Sequence, residues 1–420
     1  MTTLDPRLTA ALNAAANARQ AGNAAEELRQ LDAALAIAPD DPRAANARGM
    51  RALADGDAEL ARRCFATATA ADPGEPALWM NLATANRQIG DDDGEAAALD
   101  RALSIDRLHF MATLRMAELN ERRGRLADAA QGWSGVVQMA LALPERPPRV
   151  ADALARGQAF LAAHNAQLAD RLDAELSAEL AAMGQAARRF NACIDHVLGR
   201  RAIYTNQCHG IHYPFLPADE FFDRAMFPWL DQIEARTDAI RAEALALLSE
   251  GGADIRPYVR QDAGTPENKW SALDHSLDWS ACFLWEYGVR NEAVCARCPE
   301  TAAALDALPR NHIPGKAPSA FFSILAPGAH IPAHTGVTNT RAIIHLPLVV
   351  PAGCRFRVGG ETREWREGEA FAFDDTIEHE AWNDSAERRI VLIFDVWNPH
   401  LTPQEQALLQ RFYAISDARG

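Results

Sequence analysis

The densest concentration of potential metal ligands lies in residues 330–348, HIPAHTGVTNTRAIIHLPL, which hold His330, His334 and His345 within an alternating, strand-like run. Neutral imidazole suits ferrous iron, and a site built from two histidines leaves coordination positions open for substrates. His379, in DDTIEHEAW, follows His334 by 45 residues, and antiparallel strands can bring two such positions to one mouth. Arg389 comes ten residues later across the turn NDSAE, on what reads as the adjacent strand leading back inward. A guanidinium there can hold a carboxylate through two parallel hydrogen bonds. Arg341, Ile343 and His345 share one strand parity, so one face presents all three. A metal pair, a cation and inward polar groups together suggest a small dicarboxylate held beside iron. Gly336 stands two residues after His334, where iron chemistry ordinarily places a carboxylate.

The flanking segments are those that a β-rich scaffold needs. FFSILA, TRAIIHLPLVV, CRFRVGGETREW, EAFAFDD and RRIVLIFDVW are short, rich in β-branched and aromatic residues, and separated by Gly, Asp and Asn turns. Their spacing predicts a jelly-roll or cupin-like double-stranded β-helix with flanking helices, rather than a parallel sheet. Upstream, residues 221–251 are expected to form one helix.

The first third of the chain is periodic. Gly22, Gly56, Gly90 and Gly124 are each 34 residues apart. Nine residues after each comes a large apolar side chain (Leu31, Phe65, Leu99, Trp133), and seven before each a small residue (Ala15, Gly49, Ala83, Ala117). Pro39 and Pro73 close the first two units. A 34-residue helix–turn–helix of this kind resembles the tetratricopeptide repeat. The expected domains are a helical solenoid over 1–143, a linker or capping pair of helices over 144–190 that begins at LPERPPRV, and a catalytic domain over 191–420.

Charge narrows the partners. With 57 acidic against 42 basic residues and no Lys/Arg block, the chain is a poor match for nucleic acid. No stretch has the length and apolarity of a membrane span or the pattern of a secretory leader, so a cytoplasmic protein with no membrane partner is expected. Seven cysteines without framework spacing fit a reducing compartment, and Cys295 and Cys298 form a lone C-x-x-C that reads as incidental rather than zinc-binding. His330, His209 and His212 are each expected to be structural histidines.

FFSILAPGAHIPAHTGVTNTRAIIHLPLVVP and FDDTIEHEAWNDSAERRIVLIFDVWNPHLTP, with DWSACFLWEYGVRNEAVCARCPET upstream, resemble the aspartyl/asparaginyl β-hydroxylase family of Fe(II)- and 2-oxoglutarate-dependent oxygenases. The resemblance covers about the last 190 residues, and repeats ahead of this domain also occur in the family. It implies that His334 and His379 alone hold the iron, in keeping with the glycine of H-T-G. It further implies that Ser323 and Arg389 bind the distal carboxylate of 2-oxoglutarate, that His345 lies against this cosubstrate, and that Trp279 lines its pocket. The implied reaction uses O2 to hydroxylate an aspartyl or asparaginyl residue, or a related peptide or small molecule. The repeats offer a concave surface that either recruits a peptide or protein substrate or partner, or serves only as a scaffold for stability or self-association. At Ile343, members acting on protein aspartate carry an arginine that helps hold the substrate, and Arg341 on the same face is the candidate substitute. Asp374 or Asp375 is expected to orient the imidazole of His379. Two other functions compete: halogenation, with a halide in the space left by Gly336, and a tetratricopeptide adaptor whose barrel has lost catalysis.

Overall fold

The computed structural model describes residues 5–249 and 254–417. The chain divides into two compact units between residues 191 and 192.

The first unit is built from antiparallel helix pairs: α1 (Pro6–Gln20) with α2 (Ala24–Ile37), α3 (Pro42–Ala54) with α4 (Ala58–Ala71), α5 (Pro76–Ile89) with α6 (Asp92–Ile105), and α7 (Phe110–Arg122) with α8 (Leu126–Leu141). Local chemistry starts several of them. Asp41 accepts hydrogen bonds from the backbone N–H groups of Arg43 and Ala44, while Pro42 supplies a preset φ at the first helical position. The four glycines 34 residues apart have φ between +69° and +83°, the left-handed turn that a Cβ disfavours. The repeated apolar positions are all buried, with Phe65, Leu99 and Trp133 fully so. A Cβ on Gly49 would fall 2.5 Å from the Phe65 ring, so the smallest residue stands where two helices meet most closely. After the prolines of LPERPPRV, a single 36-residue helix, Pro148–Met183, occupies most of the segment expected to be a helical linker or capping helices. No proline interrupts it after its first turn, and it runs through Gly157, where a Cβ would fall 2.9 Å from the Val137 side chain.

The second unit contains two antiparallel sheets. Its strands are β1 (Arg256–Pro257), β2 (Trp279–Glu286), β3 (Val289–Arg290), β4 (Ala320–Leu325), β5 (His330–His334), β6 (Arg341–Val349), β7 (Cys354–Val358), β8 (Glu361–Glu364), β9 (Phe371–Phe373), β10 (His379–Asn383) and β11 (Arg389–Trp397). The larger sheet has the order β1-β2-β4-β11-β6-β9, with β3 on β2, and the smaller has β5-β10-β7-β8. Strand alternation divides the larger sheet's side chains between two cores. Phe322, Ile324, Ile344, Leu346, Ile390 and Leu392 pack on one face, together with Ile240, Ala244 and Leu247 of the helix Thr237–Ser249. The other face meets the smaller sheet, where Leu325, Ile343 and Val391 join Phe356, Val358 and Ala381.

Two expectations change here. Residues 221–251 do not form one helix. Phe221 bridges to Phe373 of β9, Pro228 interrupts, and the segment holds a 3-10 turn at Arg224–Met226 and α-helices at Leu230–Glu234 and Thr237–Ser249; residues 250 and 251 lie outside the described range. Arg389 does not return on a strand adjacent to that of His379 either. β10 and β11 belong to different sheets, so the exposed turn between them carries the chain from one sheet to the other.

Candidate functional site

His334 and His379 end β5 and begin β10, and they are direct cross-strand partners in the smaller sheet. Cross-strand pairing puts both side chains on one face, and their ring centroids are 4.1 Å apart. Each Nδ1 meets a backbone carbonyl two residues earlier: His334 to Pro332 at 2.8 Å, His379 to Ile377 at 3.0 Å. A carbonyl only accepts, so each Nδ1 carries the proton and each Nε2 presents a lone pair. Burial holds both rings neutral. It lowers His334 to about 3, aided by the neighbouring His379, and His379 to about 4 against the opposing hydrogen bond to Ile377. Two neutral imidazoles with free Nε2 atoms on one face are competent metal ligands. Among the described residues, no group of three or more His, Cys, Asp or Glu side chains is arranged to hold a metal.

The glycine between them has a steric explanation. A Cβ at Gly336 would lie 2.2 Å from the Asp375 carboxylate. Asp375 is in turn bound by Arg341 at 2.8 Å, and Arg341 also reaches Asp395 at 3.3 Å. The space a larger residue would need is therefore filled by an anion from the turn between β9 and β10. The backbone carbonyls of Pro332 and Ile377, rather than Asp374 or Asp375, orient the imidazoles. Asp374 instead accepts from Thr376 and from Asn206 at 2.7 Å, and burial pushes its carboxyl up to about 7. Nearby, Gly210 and Tyr213 bond to Val337 and Asn339, so the CHGIHYPF segment braces the Gly336 loop. Its His209 bonds Thr335, next to His334, at 3.3 Å, a long-range contact, whereas His212 lies 3.6 Å from Cys208 within the same segment.

Deeper between the sheets, Arg389 is 1% exposed. Its one hydrogen bond among the described residues goes to the Ser323 hydroxyl at 3.0 Å, and its Nε has no partner. No carboxylate pairs with it, its guanidinium lies 4.5 Å from the Trp365 ring, and burial lowers it to about 9. Trp279 Nε1 donates to the same Ser323 oxygen at 3.2 Å. With two donors directed at that oxygen, the serine's own hydrogen remains available to another acceptor. His345 is buried among Phe356, Phe371 and Phe373, its Nδ1 is unpartnered, and burial and Arg389 hold it well below the ordinary histidine range. A buried cation without an anion, beside unpartnered donors, is the arrangement that an anionic ligand completes.

A cavity of about 490 Å³ is lined by the seven residues expected to hold metal, cosubstrate or substrate, Trp279, Ser323, His334, Arg341, His345, His379 and Arg389, together with Gly336, Ile343 and Asp375. Arg341 lines it with its guanidinium committed to two carboxylates. Other lining residues were not singled out: Tyr258, Trp270, Phe283, Phe321 and Asp395. The alternation of Trp279, Ala281 and Phe283 in β2 carried a signal for the aromatic wall, whereas the approach of Asp375 to Gly336 had none. His330 lies apart from the ligand pair, bonded to Glu380 at 3.1 Å and stacked on Trp382. Cys295 and Cys298 are buried thiols, and burial pushes Cys298 up to about 12.

Residues 234–399 match the family model described as aspartyl/asparaginyl beta-hydroxylase. Human aspartyl/asparaginyl beta-hydroxylase is 43% identical over 178 residues, covering 42% of this chain and 22% of that protein. The ornithine lipid ester-linked acyl 2-hydroxylase of Rhizobium tropici is 36% identical over 197 residues, covering 46% of this chain and 66% of its own length. The chain thus spans under a quarter of the human relative and just under two thirds of the bacterial one. Among solved structures, MamA protein aligns over 40% of this chain and 94% of its own, at 13% identity and a TM-score of 0.31.

Proposed function

Because residues 234–399 match the family model described as aspartyl/asparaginyl beta-hydroxylase, we propose that the chain is a member of that family and an Fe(II)- and 2-oxoglutarate-dependent oxygenase that hydroxylates a carbon of its substrate. The observation that carries the reading is a pair of neutral imidazoles sharing one cavity with a buried guanidinium that lacks an anion. The strand orders β4-β11-β6-β9 and β5-β10-β7-β8 support the double-stranded β-helix such a site uses. The similar proteins are named for acting on aspartyl or asparaginyl residues in one case and on an acyl group in the other. What they share is carbon hydroxylation rather than one substrate.

The residues present fit both groups. His334 and His379 would hold ferrous iron through Nε2, and Arg389 with Ser323 would take the distal carboxylate of 2-oxoglutarate. Bound iron would supply the redox chemistry, with O2 reduced as 2-oxoglutarate is decarboxylated to succinate. The chain's own contribution is positional. The carbonyls of Pro332 and Ile377 fix the imidazole tautomers, and Trp279 fixes the Ser323 oxygen so that its hydrogen is directed to the ligand. His345, kept neutral, lies against the cosubstrate without adding charge. The rings of Phe356 and Phe373 exclude water and strengthen the electrostatic contacts made there.

Halogenation is disfavoured, because the Asp375 carboxylate fills the space beside Gly336 and would repel a halide. A catalytically dead adaptor is disfavoured, because a buried unpaired guanidinium costs a scaffold about several kcal/mol with no return. The test is anaerobic reconstitution with Fe(II) and 2-oxoglutarate, followed by O2 and measurement of succinate over a library of peptides and acyl amides. Succinate that depends on both His379 and Arg389 supports the reading. Its absence throughout, with no metal-dependent stabilisation, supports the adaptor.

A further inference from the structure

The oxygenase reading leaves the group presented to the metal open, and the cavity wall bears on it. From the histidines outward the lining is a continuous row of rings. Trp270 lies 5.0 Å from His334 and 6.0 Å from Trp279, Trp279 stacks on Tyr258 at 3.9 Å, and Tyr258 lies 5.4 Å from Phe321, which is 4.8 Å from Phe283. Ile331 and Ile343 complete the wall near the imidazoles, and both are buried.

Three of the four arginines lining the cavity are committed elsewhere. Arg341 is shared between Asp375 and Asp395, so one guanidinium faces two acids and the cluster is net negative. Arg256 pairs with Glu286 and lies over the Phe283 ring. Arg389 sits at the deep end assigned to the cosubstrate, and Arg260 is exposed. The cavity is also larger than the cosubstrate needs. Its volume of about 490 Å³ equals that of roughly 16 water molecules at about 30 Å³ each, whereas 2-oxoglutarate has about ten non-hydrogen atoms.

We infer that the group presented to the metal is an uncharged hydrocarbon, an aliphatic side chain or acyl chain lying along Trp270, Tyr258, Phe321 and Phe283, and that Ile343 determines this specificity by standing apolar beside Arg341, whose charge is already taken up by two acids. The inference rests on the oxygenase reading for which end of the cavity is the reacting end. It does not rest on turnover. A carboxylate placed against Ile343 would be desolvated beside a net negative cluster, a penalty worth at least about 100-fold in affinity. A hydrocarbon placed there exchanges water for aromatic and aliphatic contact.

The experiment measures equilibrium binding to the metal-free full chain by quenching of tryptophan fluorescence, so that a failure of the iron chemistry leaves it readable. Three probes are compared: N-methyl octanamide, N-acetyl-leucine N-methylamide and N-acetyl-aspartate N-methylamide. The octanamide or the leucine probe is expected to bind at least about 100-fold more tightly than the aspartate probe, and whichever of the two is favoured identifies the source of the hydrocarbon. Ile343→Arg is expected to weaken both hydrocarbon probes at least about tenfold and to strengthen the aspartate probe. Ile343→Val, which keeps the wall apolar, should preserve the wild-type order. Aspartate binding as tight as the hydrocarbons in the wild type, or an unchanged order in a folded Ile343→Arg protein, overturns the inference.

Discussion

Replacing Arg389 with methionine should move stability and ligand affinity in opposite directions. The guanidinium is 1% exposed, has one hydrogen bond to Ser323, and meets no carboxylate among the described residues. An unpaired buried charge opposes folding, and substituting an apolar side chain of similar length typically gains about 1–4 kcal/mol. Loss of the contact with Trp365 at 4.5 Å subtracts up to about 2 kcal/mol. The net expectation is a gain of about 1–2 kcal/mol, or a Tm rise of several degrees for a unit of this size. In the ligand complex the same residue is half of a buried, hydrogen-bonded charge pair. Its loss then costs about 2–5 kcal/mol, a roughly 30- to 4000-fold drop in 2-oxoglutarate affinity. The assays are thermal unfolding of the metal-free chain and calorimetric titration of 2-oxoglutarate into the Mn(II)-loaded chain without O2. A variant destabilised by several kcal/mol that binds 2-oxoglutarate as the wild type does would refute the reasoning, because it would make Arg389 a structural residue.

Further outcomes follow from the same geometry. Gly336→Ala should cost about 1–3 kcal/mol in denaturant titrations, because its Cβ meets the Asp375 carboxylate, and Gly336→Asp should fail to tighten Mn(II) binding; a neutral alanine variant would contradict the close approach. Asp374 is raised from its ordinary value to about 7 by burial. Its contribution to stability is therefore greatest below about pH 4 and is lost as pH climbs to about 7, by roughly 4 kcal/mol in all. Asp374→Asn should flatten that slope in urea titrations at pH 5 and 8, and an unchanged slope would count against it. In the repeats, Gly49→Ala should cost about 1–3 kcal/mol through collision with the Phe65 ring, and a cost near zero would show that the helix pair yields.

How much of this was legible in the sequence depends on the range of the interaction. The 34-residue glycine period gave the helix pairs, because turn chemistry and ridge packing are local and recur in register. The alternation in β6 and β11 gave strand parity, which places Arg341, Ile343 and His345 on one face. Which strands would pair was not local. The turn after His379 leads to the opposite sheet, and nothing in NDSAE distinguishes a hairpin from a crossing. The role of Gly336 was the least legible. Its meaning lies in Asp375, which approaches it only through the tertiary fold, and Arg341 is diverted from a substrate by the same contact. The carbonyls that orient the two imidazoles belong to the backbone, so no side chain type could have announced them.

The most direct test of the central claim is X-ray absorption on the anaerobic Fe(II)-loaded chain with 2-oxoglutarate. The account predicts scattering from two imidazole rings, with oxygen filling the remaining positions, and loss of one ring in His379→Ala. A spectrum without imidazole scattering, or one dominated by sulfur, would contradict it.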